Sequence, residues 1–309
     1  SVGDRKYAAN ASPIFHDITQ KGVTTQSGGM YEYNMSYAGN YSDIFYLGGT
    51  LTYTSVKFKE ARSHTEINDP RNNGNQVVNN FIYSENLTTT GGGWSAQMGL
   101  VICPVKFVRL GASLQTPMVL KLNDSYNFSL NSNLNNGENY NYKSKDGSYS
   151  YKLQTPFRYN FSAVVVAGKL GFISGDFESV DYSAARLRSN DGNTAQAMET
   201  ANDGVRSLYT RSYNYRIGAE LVNGDFRYRG GYANYGSPFI GGTTNQKSEF
   251  ITGGVGIKQE SWSLDFALIH QMGNDVYQPY TLNDKSKVAA VSDNSFKANS
   301  LLVTLSTRF

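Results

Sequence analysis

The sequence predicts an all-β fold, a transmembrane antiparallel β-barrel, on three observations. Apolar and polar residues alternate with period two along most of the 309 residues. The connections between alternating segments are short and long by turns. The last segment alternates down to a terminal aromatic, Phe309. Successive side chains of a strand point to opposite faces, so each such segment has one apolar and one polar face. A membrane barrel wall meets lipid on one side and a polar interior on the other, with short periplasmic turns and long external loops.

Composition narrows the function classes. The chain is 17% charged and carries 23 Tyr, 16 Phe and 31 Gly against 7 Pro. A formal net charge of +3 is too weak to argue for nucleic acid as a partner. Mean hydropathy is -0.46, as expected when lipid-facing and interior-facing residues alternate. No apolar run is long enough for a transmembrane helix. The single cysteine, Cys103, excludes an internal disulfide and reads as a small apolar strand residue. Ser1 to Asn10 contain no apolar stretch of signal-peptide type, so an export signal is expected to have been removed or to lie upstream.

The alternation is clearest in Tyr31–Tyr37, Phe157–Ala163, Tyr213–Leu221 and Trp262–Leu268. It predicts about eleven strands, near 29–40, 44–59, 79–103, 106–120, 147–168, 170–184, 207–222, 224–236, 246–259, 261–273 and 294–309. Gly91, Gly92 and Gly93 would mark a bend or bulge in the third. Short connections fall at Tyr41–Asp43, Pro104–Lys106, Gly168–Lys169, Val222–Asp225 and Gln259–Ser261. Long polar ones fall near 60–77, 120–146, 185–206, 237–246 and 273–294, and no helix is expected. If the last strand ends on the periplasmic side, counting back makes 29–40 run downward. Residues 1–28 are then an extracellular loop region and 29–309 one barrel domain. An odd number of further strands is expected to be absent from the sequence, because single-chain bacterial barrels have even strand numbers. A soluble β-sandwich would share the alternation, but the connection pattern and the aromatic terminus count against it.

With the apolar face toward lipid, the last strand presents Leu301, Val303, Leu305, Thr307 and Phe309 outward. Leu305 and Phe309 would form the C-terminal signal read by the barrel-assembly machinery; the plain alternative is an ordinary last strand. The opposite faces carry Glu32, Arg109, Arg158, Asp176, Arg216, Glu220, Arg227, Arg229 and Asp265. Charges of both signs on one wall predict Arg–carboxylate pairs. They line a selective lumen, meet a plug, or merely stiffen the wall. Gly171, Gly175, Gly230, Gly231, Gly253, Gly254 and Gly256 inside strands suggest bends or a close second backbone. A slip of alternation between Phe177 and Val180 suggests a β-bulge. His16, His64 and His270 show no metal-ligand spacing, and no nucleophile or phosphate-loop motif occurs. No enzyme activity and no cofactor are expected.

Several stretches resemble the FadL/TodX outer-membrane transport family in its Bacteroidota form. They are Glu85–Gly91, Val108–Pro117, Leu153–Arg158, Leu170–Ser183, Arg216–Glu220 and Gly231–Pro238, in family order. The resemblance implies a fourteen-stranded barrel with an N-terminal hatch in the lumen, which the even-number rule for barrels allows. The hatch and the first strands, including the kinked strand that opens into the bilayer, have no counterpart in this sequence. The resemblance further implies an outer-membrane location and uptake of hydrophobic small molecules of fatty-acid or hydrocarbon type. Its alternative is an accessory barrel subunit of an outer-membrane secretion or assembly machine. Implied partners are membrane lipid, the hydrophobic ligand, the assembly machinery and, in the alternative, other outer-membrane proteins. Phe58, Met118, Leu120, Leu122 and Phe239, near loop-side strand ends, could line an access groove or pack loops against one another.

Overall fold

The computed structural model describes residues 18–69, 78–189, 191–241, 246–277 and 292–307. Phe309, His16 and residues 1–17 of the expected N-terminal loop lie outside them.

One sheet contains all the described strands. Its first members are β1 (Thr19–Tyr41), β2 (Phe45–Ile67), β3 (Val78–Val105), β4 (Val108–Gln115), β5 (Val119–Leu134), β6 (Asn139–Lys143), β7 (Gly147–Gln154) and β8 (Arg158–Val166). Then come β9 (Gly171–Asp181), β10 (Arg186–Arg188), helix α1 (Gly192–Leu208), β11 (Arg211–Asn223), β12 (Phe226–Tyr235), β13 (Ser248–Lys258), β14 (Trp262–Tyr277) and β15 (Ser292–Thr307). Each of the long strands pairs with its neighbour in sequence. β3 borders both β4 and β5, and these in turn border β8 and β7. The two half-strand pairs therefore replace the single strands expected at 106–120 and 147–168. Among the described residues β1 pairs only with β2, and β15 only with β14, so the sheet is open between them.

Four expectations need correction. Residues 19–28 are strand, because the backbone groups of β1 find partners on the extended end of β2. The span 120–146 is largely the β5–β6 hairpin, whose polar Asn and Ser residues pair across it instead of looping free. The slip at Phe177–Val180 is no bulge, since β9 keeps unbroken register with both β8 and β11. Val180 is an apolar residue on the polar face and is fully buried there. The register shift lies in β3, between Ile102 and Val105.

The fourth correction is α1, in the span read as loop. Asp191 caps it, its carboxylate accepting the Thr194 N–H at 3.2 Å and the Thr194 hydroxyl at 2.6 Å. Asn202 is buried and ties the helix to β10: its amide donates to the Leu187 carbonyl at 2.9 Å and accepts the Leu187 N–H at 2.8 Å. One side chain thus supplies β10 with a pseudo-strand partner on the side away from β7. Asn202→Ala strands both groups, a loss of about 1–3 kcal/mol. It is expected to make the Arg186 and Arg188 bonds trypsin-sensitive under conditions where the wild type resists, read by mass spectrometry of the digest.

The chain divides into two compact units. The larger, residues 32–54, 92–121 and 151–307 among those described, has an exposed apolar face carrying Ile217, Leu221, Tyr228, Phe266, Leu301 and Val303. Aromatic rings cluster on it in two places. Tyr33 stacks on Tyr53 at 6.3 Å, and Trp94 lies tilted against Tyr53 at 4.9 Å, across β1–β3. Phe177 lies 5.7 and 5.4 Å from Tyr213 and Tyr215. The smaller unit, residues 18–31, 55–91 and 122–150 among those described, is built from the loop-side ends of β1, β2, β3, β5 and β7 together with β6. Its outward positions mix polar residues such as Lys57, Lys59, Thr88, Thr90, Asn123 and Ser125 with the exposed Val23, Ile67 and Ile82.

Candidate functional site

Two copies of Leu-Gln-Thr-Pro create the site. Leu114–Pro117 carries β4 to its end ahead of β5, and Leu153–Pro156 carries β7 to its end ahead of β8. Proline has no N–H to give the ladder, so each copy must end a strand or repair it. The threonines repair it. Thr116 gives its N–H to the Ala96 carbonyl at 2.8 Å and takes the Ala96 N–H on its hydroxyl at 2.9 Å. Thr155 gives its N–H to the Met118 carbonyl at 3.0 Å and takes the Met118 N–H on its hydroxyl at 2.9 Å. The two breaks thus sit beside each other, bonded through Thr155 and Met118.

The first break inserts one residue into the pairing with β3, and the second keeps step with the first on both sides. Gln115 stands opposite Gln97 on β3, yet Gly93, on the same face as Gln97, lies against Leu120. Gln115 and Leu120 therefore share a face although they stand five positions apart, an odd number. The contact is close: a Cβ on Gly93 would come within 2.1 Å of the Val119 carbonyl oxygen. The even-numbered apolar residues are split by the break. Leu110 and Leu114 stay 46% and 38% exposed on the lipid face, whereas Met118, Leu120 and Leu122 turn inward to 7%, 5% and 6%. On the second strand Tyr159 and Phe161 face out, while Tyr149, Tyr151 and Leu153 turn in and are half-buried. The polar face of the wall becomes apolar above the breaks.

Within the smaller unit this face forms a row across five strands. Gln26 bonds Glu60 and Gln20 bonds Glu66, a register that sets Gly28 beside Phe58. A Cβ on Gly28, whose φ is 129°, would meet the Lys57 carbonyl at 2.1 Å. Phe58 shares a groove of about 530 Å3 with Gly28, Met30, Val56 and Thr89. Asn86 to Asn127 and Asn80 to Asn133 fix β3 against β5, which places Thr89 opposite Asp124. Ser150 bonds Asn123, and Tyr149 donates its hydroxyl to Asp124. Gly28, Phe58, Thr89, Asp124 and Tyr149 therefore lie side by side. Burial, the Asp124 hydrogen bond and its negative charge push the Tyr149 hydroxyl up to about 12.

The polar face of the larger unit carries two ion-pair clusters. Arg216 binds Asp176 at 2.5 Å and approaches Glu178 at 3.7 Å. Glu178 also receives Asn214 at 2.6 Å and Arg158 at 3.5 Å. Arg229 bridges Glu220, at 2.7 Å, and Asp265. Between the clusters lies a row of small side chains, Ser174, Gly218, Gly231 and Thr252. Three expected charges stand apart. Arg227 binds the carbonyls of its own turn, Gly224 and Phe226. Arg109 and Glu32 are exposed, with no ion pair among the described residues.

Of the five expected groove residues, Phe58 lies in the groove, and Met118, Leu120 and Leu122 form the inverted face. Phe239 belongs elsewhere, stacked on Tyr209 at 4.9 Å beyond the end of α1. Sequence reasoning missed Thr116, Thr155, Asp124 and Tyr149. The signal for the threonines was the repeated Leu-Gln-Thr-Pro; Asp124 gave none, sitting in a polar stretch read as loop.

No family model and no curated protein matches the sequence. Among solved structures, a Pseudomonas aeruginosa FadL homologue is 13% identical with a TM-score of 0.54, covering 94% of this chain and 68% of that one. The CymD monoaromatic hydrocarbon channel is 11% identical, TM-score 0.48, over 94% and 88%. The Pseudomonas putida toluene transporter TodX is 11% identical, TM-score 0.46, over 97% and 91%. The first likeness shows the fold, a transmembrane antiparallel β-barrel of FadL type.

Proposed function

We propose that this chain is an outer-membrane barrel for uptake of hydrophobic small molecules of fatty-acid or hydrocarbon type. One observation carries the reading. The twin Thr–Pro breaks turn a polar wall apolar, on the inner side, at the loop-side strand ends. A wall that only had to seal a water-filled pore would keep that face polar. The Phe58 groove supplies the concave apolar surface a small ligand needs. The ion-pair clusters of the larger unit line the lumen and would meet a plug. Membrane lipid surrounds the apolar face, and the assembly machinery reads the last strand through Leu305 and Phe309.

The test is uptake of labelled oleate and toluene by cells lacking the protein and complemented with it. Phe58→Ala is expected to lower uptake about 10-fold, the worth of one buried aromatic contact. Uptake equal to that of cells carrying empty vector would reject the reading. The accessory-subunit alternative draws on the loop-side strand ends, a platform for a protein partner. Its mark is stable co-purification of other outer-membrane proteins at native expression, with no uptake.

A further inference from the structure

The outward face of β8, β9, β11 and β12 carries a groove of about 530 Å3 near the short-turn end of these strands. Ile173, Ala219 and Gly230 stand in one row across β9, β11 and β12. Gly171, Leu221 and Tyr228 form the next row toward the turns. Ala219 and Gly230 are the floor. A Cβ added at Gly230 would meet nothing within 4 Å, so the space above it is open. Val165, Leu170, Ile173, Leu221 and Tyr228 rise around the floor, all of them exposed.

The fold sets what can enter. Outward side chains of a transmembrane barrel meet lipid, and its short turns lie on the periplasmic side. The occupant therefore comes from the membrane, and the turns beside the groove meet head groups. Two of those turns are basic. Lys169 lies in the β8–β9 turn, next to Leu170 of the groove wall. The β3–β4 turn bearing Lys106 adjoins it, since Val166 donates its N–H to the Phe107 carbonyl at 2.8 Å. Both lysines are exposed, with no ion pair among the described residues. On the other flank the Asp225 carboxylate accepts the Gln259 amide at 2.9 Å, on the side away from β9.

We propose that this groove holds one anionic phospholipid of the periplasmic leaflet. The phosphate rests on Lys169 and Lys106, and one acyl chain lies over Ala219 and Gly230 between Ile173 and Leu221. Moving an acyl chain from lipid onto protein gains nothing from the hydrophobic effect. Affinity comes instead from close packing over the bare floor and from the two ammonium groups. The site rests on the outer-membrane reading above, and not on uptake of any ligand.

The experiment uses the full-length protein in phosphatidylcholine nanodiscs doped with phosphatidylglycerol that carries a diazirine midway along one acyl chain. After irradiation, adducts are mapped by mass spectrometry. They are expected on residues 165–173 and 219–230 about 5-fold more often than on the outward side of β14, the scale of one lysine beside an anionic lipid. Gly230→Leu fills the floor without a clash and should cut these adducts about 5-fold. Gly175→Leu, also outward with open space above it but outside the groove, is the matched control and should leave them within about 1.5-fold. Lys169→Gln should cut them about 5-fold with phosphatidylglycerol, and change nothing with photoreactive phosphatidylcholine of the same chain. Adducts spread evenly over the outward strands, or reduced alike by both glycine variants, overturn the site. Adducts present in nanodiscs but blocked in native outer membranes mean that a protein covers the groove, which also overturns it. A protein that stays soluble and never enters nanodiscs overturns the outer-membrane reading first, and the lipid site with it.

Discussion

Deletion of Pro117 is expected to abolish hydrophobic-ligand binding while leaving the strand content, read by circular dichroism, close to wild type. Side chains alternate with a period of two, so removing one residue at the break turns everything beyond it to the other face. Met118, Leu120 and Leu122, 7%, 5% and 6% exposed, would move outward, and Lys121 and Asn123 would take their places. At about 1.5–3 kcal/mol for each buried aliphatic side chain, the shift costs roughly 5–9 kcal/mol, comparable to the whole stability of many domains. Pro117→Ala keeps the residue count and restores an N–H. It should bind within about 3-fold of wild type, since it alters turn stiffness but not which face is apolar. Equal octane binding by the deletion variant and the wild type would show that the inversion does not make the groove.

The second large effect concerns the open edges of the sheet. β15 presents sixteen residues to its free side. About half of their backbone groups point away from β14, and each unpaired group in hydrocarbon costs several kcal/mol, so an uncovered edge costs tens of kcal/mol. Both edges must therefore be covered in the membrane. β1 and β15 cannot cover each other in the usual way. Counting each broken pair as one rung, the order runs β1, β2, β3, β4/β5, β7/β8, β9, β11, β12, β13, β14, β15. Neighbours are antiparallel throughout, as Ser36–Thr50 with Asn34–Thr52 and the β14–β15 register illustrate. An odd number of rungs makes β1 and β15 parallel. An odd number of further strands between them, from whichever chain, makes every pair antiparallel. Cysteines at Ser36 and Thr304, in a Cys103→Ser background, are thus expected to give no disulfide on oxidation in native membranes. Efficient cross-linking would establish direct β1–β15 closure and overturn the argument.

Much of the wall was legible in the sequence, because a strand's side-chain period is fixed by the backbone and a membrane makes both faces uniform. The alternation at Tyr213–Leu221 and Trp262–Leu268 gave β11 and β14 their outward rows, and Val222–Asp225 gave the turn between β11 and β12. The charges that proved to be paired, Arg158, Asp176, Arg216, Glu220, Arg229 and Asp265, could be put on one face by the same rule. α1 was not legible: a polar seventeen-residue segment interrupted by Gly192 and Gly204 becomes helical with Asn202 bonded to Leu187, fifteen residues away. Such partners are tertiary, and local propensity does not carry them.

By itself the sequence determined most of the long strands, though not 19–28 or the hairpin within 120–146, and, within each unbroken strand, which residues share a face. Only the tertiary structure decided which face is which on either side of Pro117 and Pro156. The even-numbered apolar series from Leu110 to Leu122 runs unbroken in the sequence, so the alternation does not mark where the face changes. The extra residue at Thr116–Pro117 becomes visible only when Gln97 and Gly93 of β3 stand opposite their partners. Register is a relation between two strands, and one strand's sequence contains only half of it.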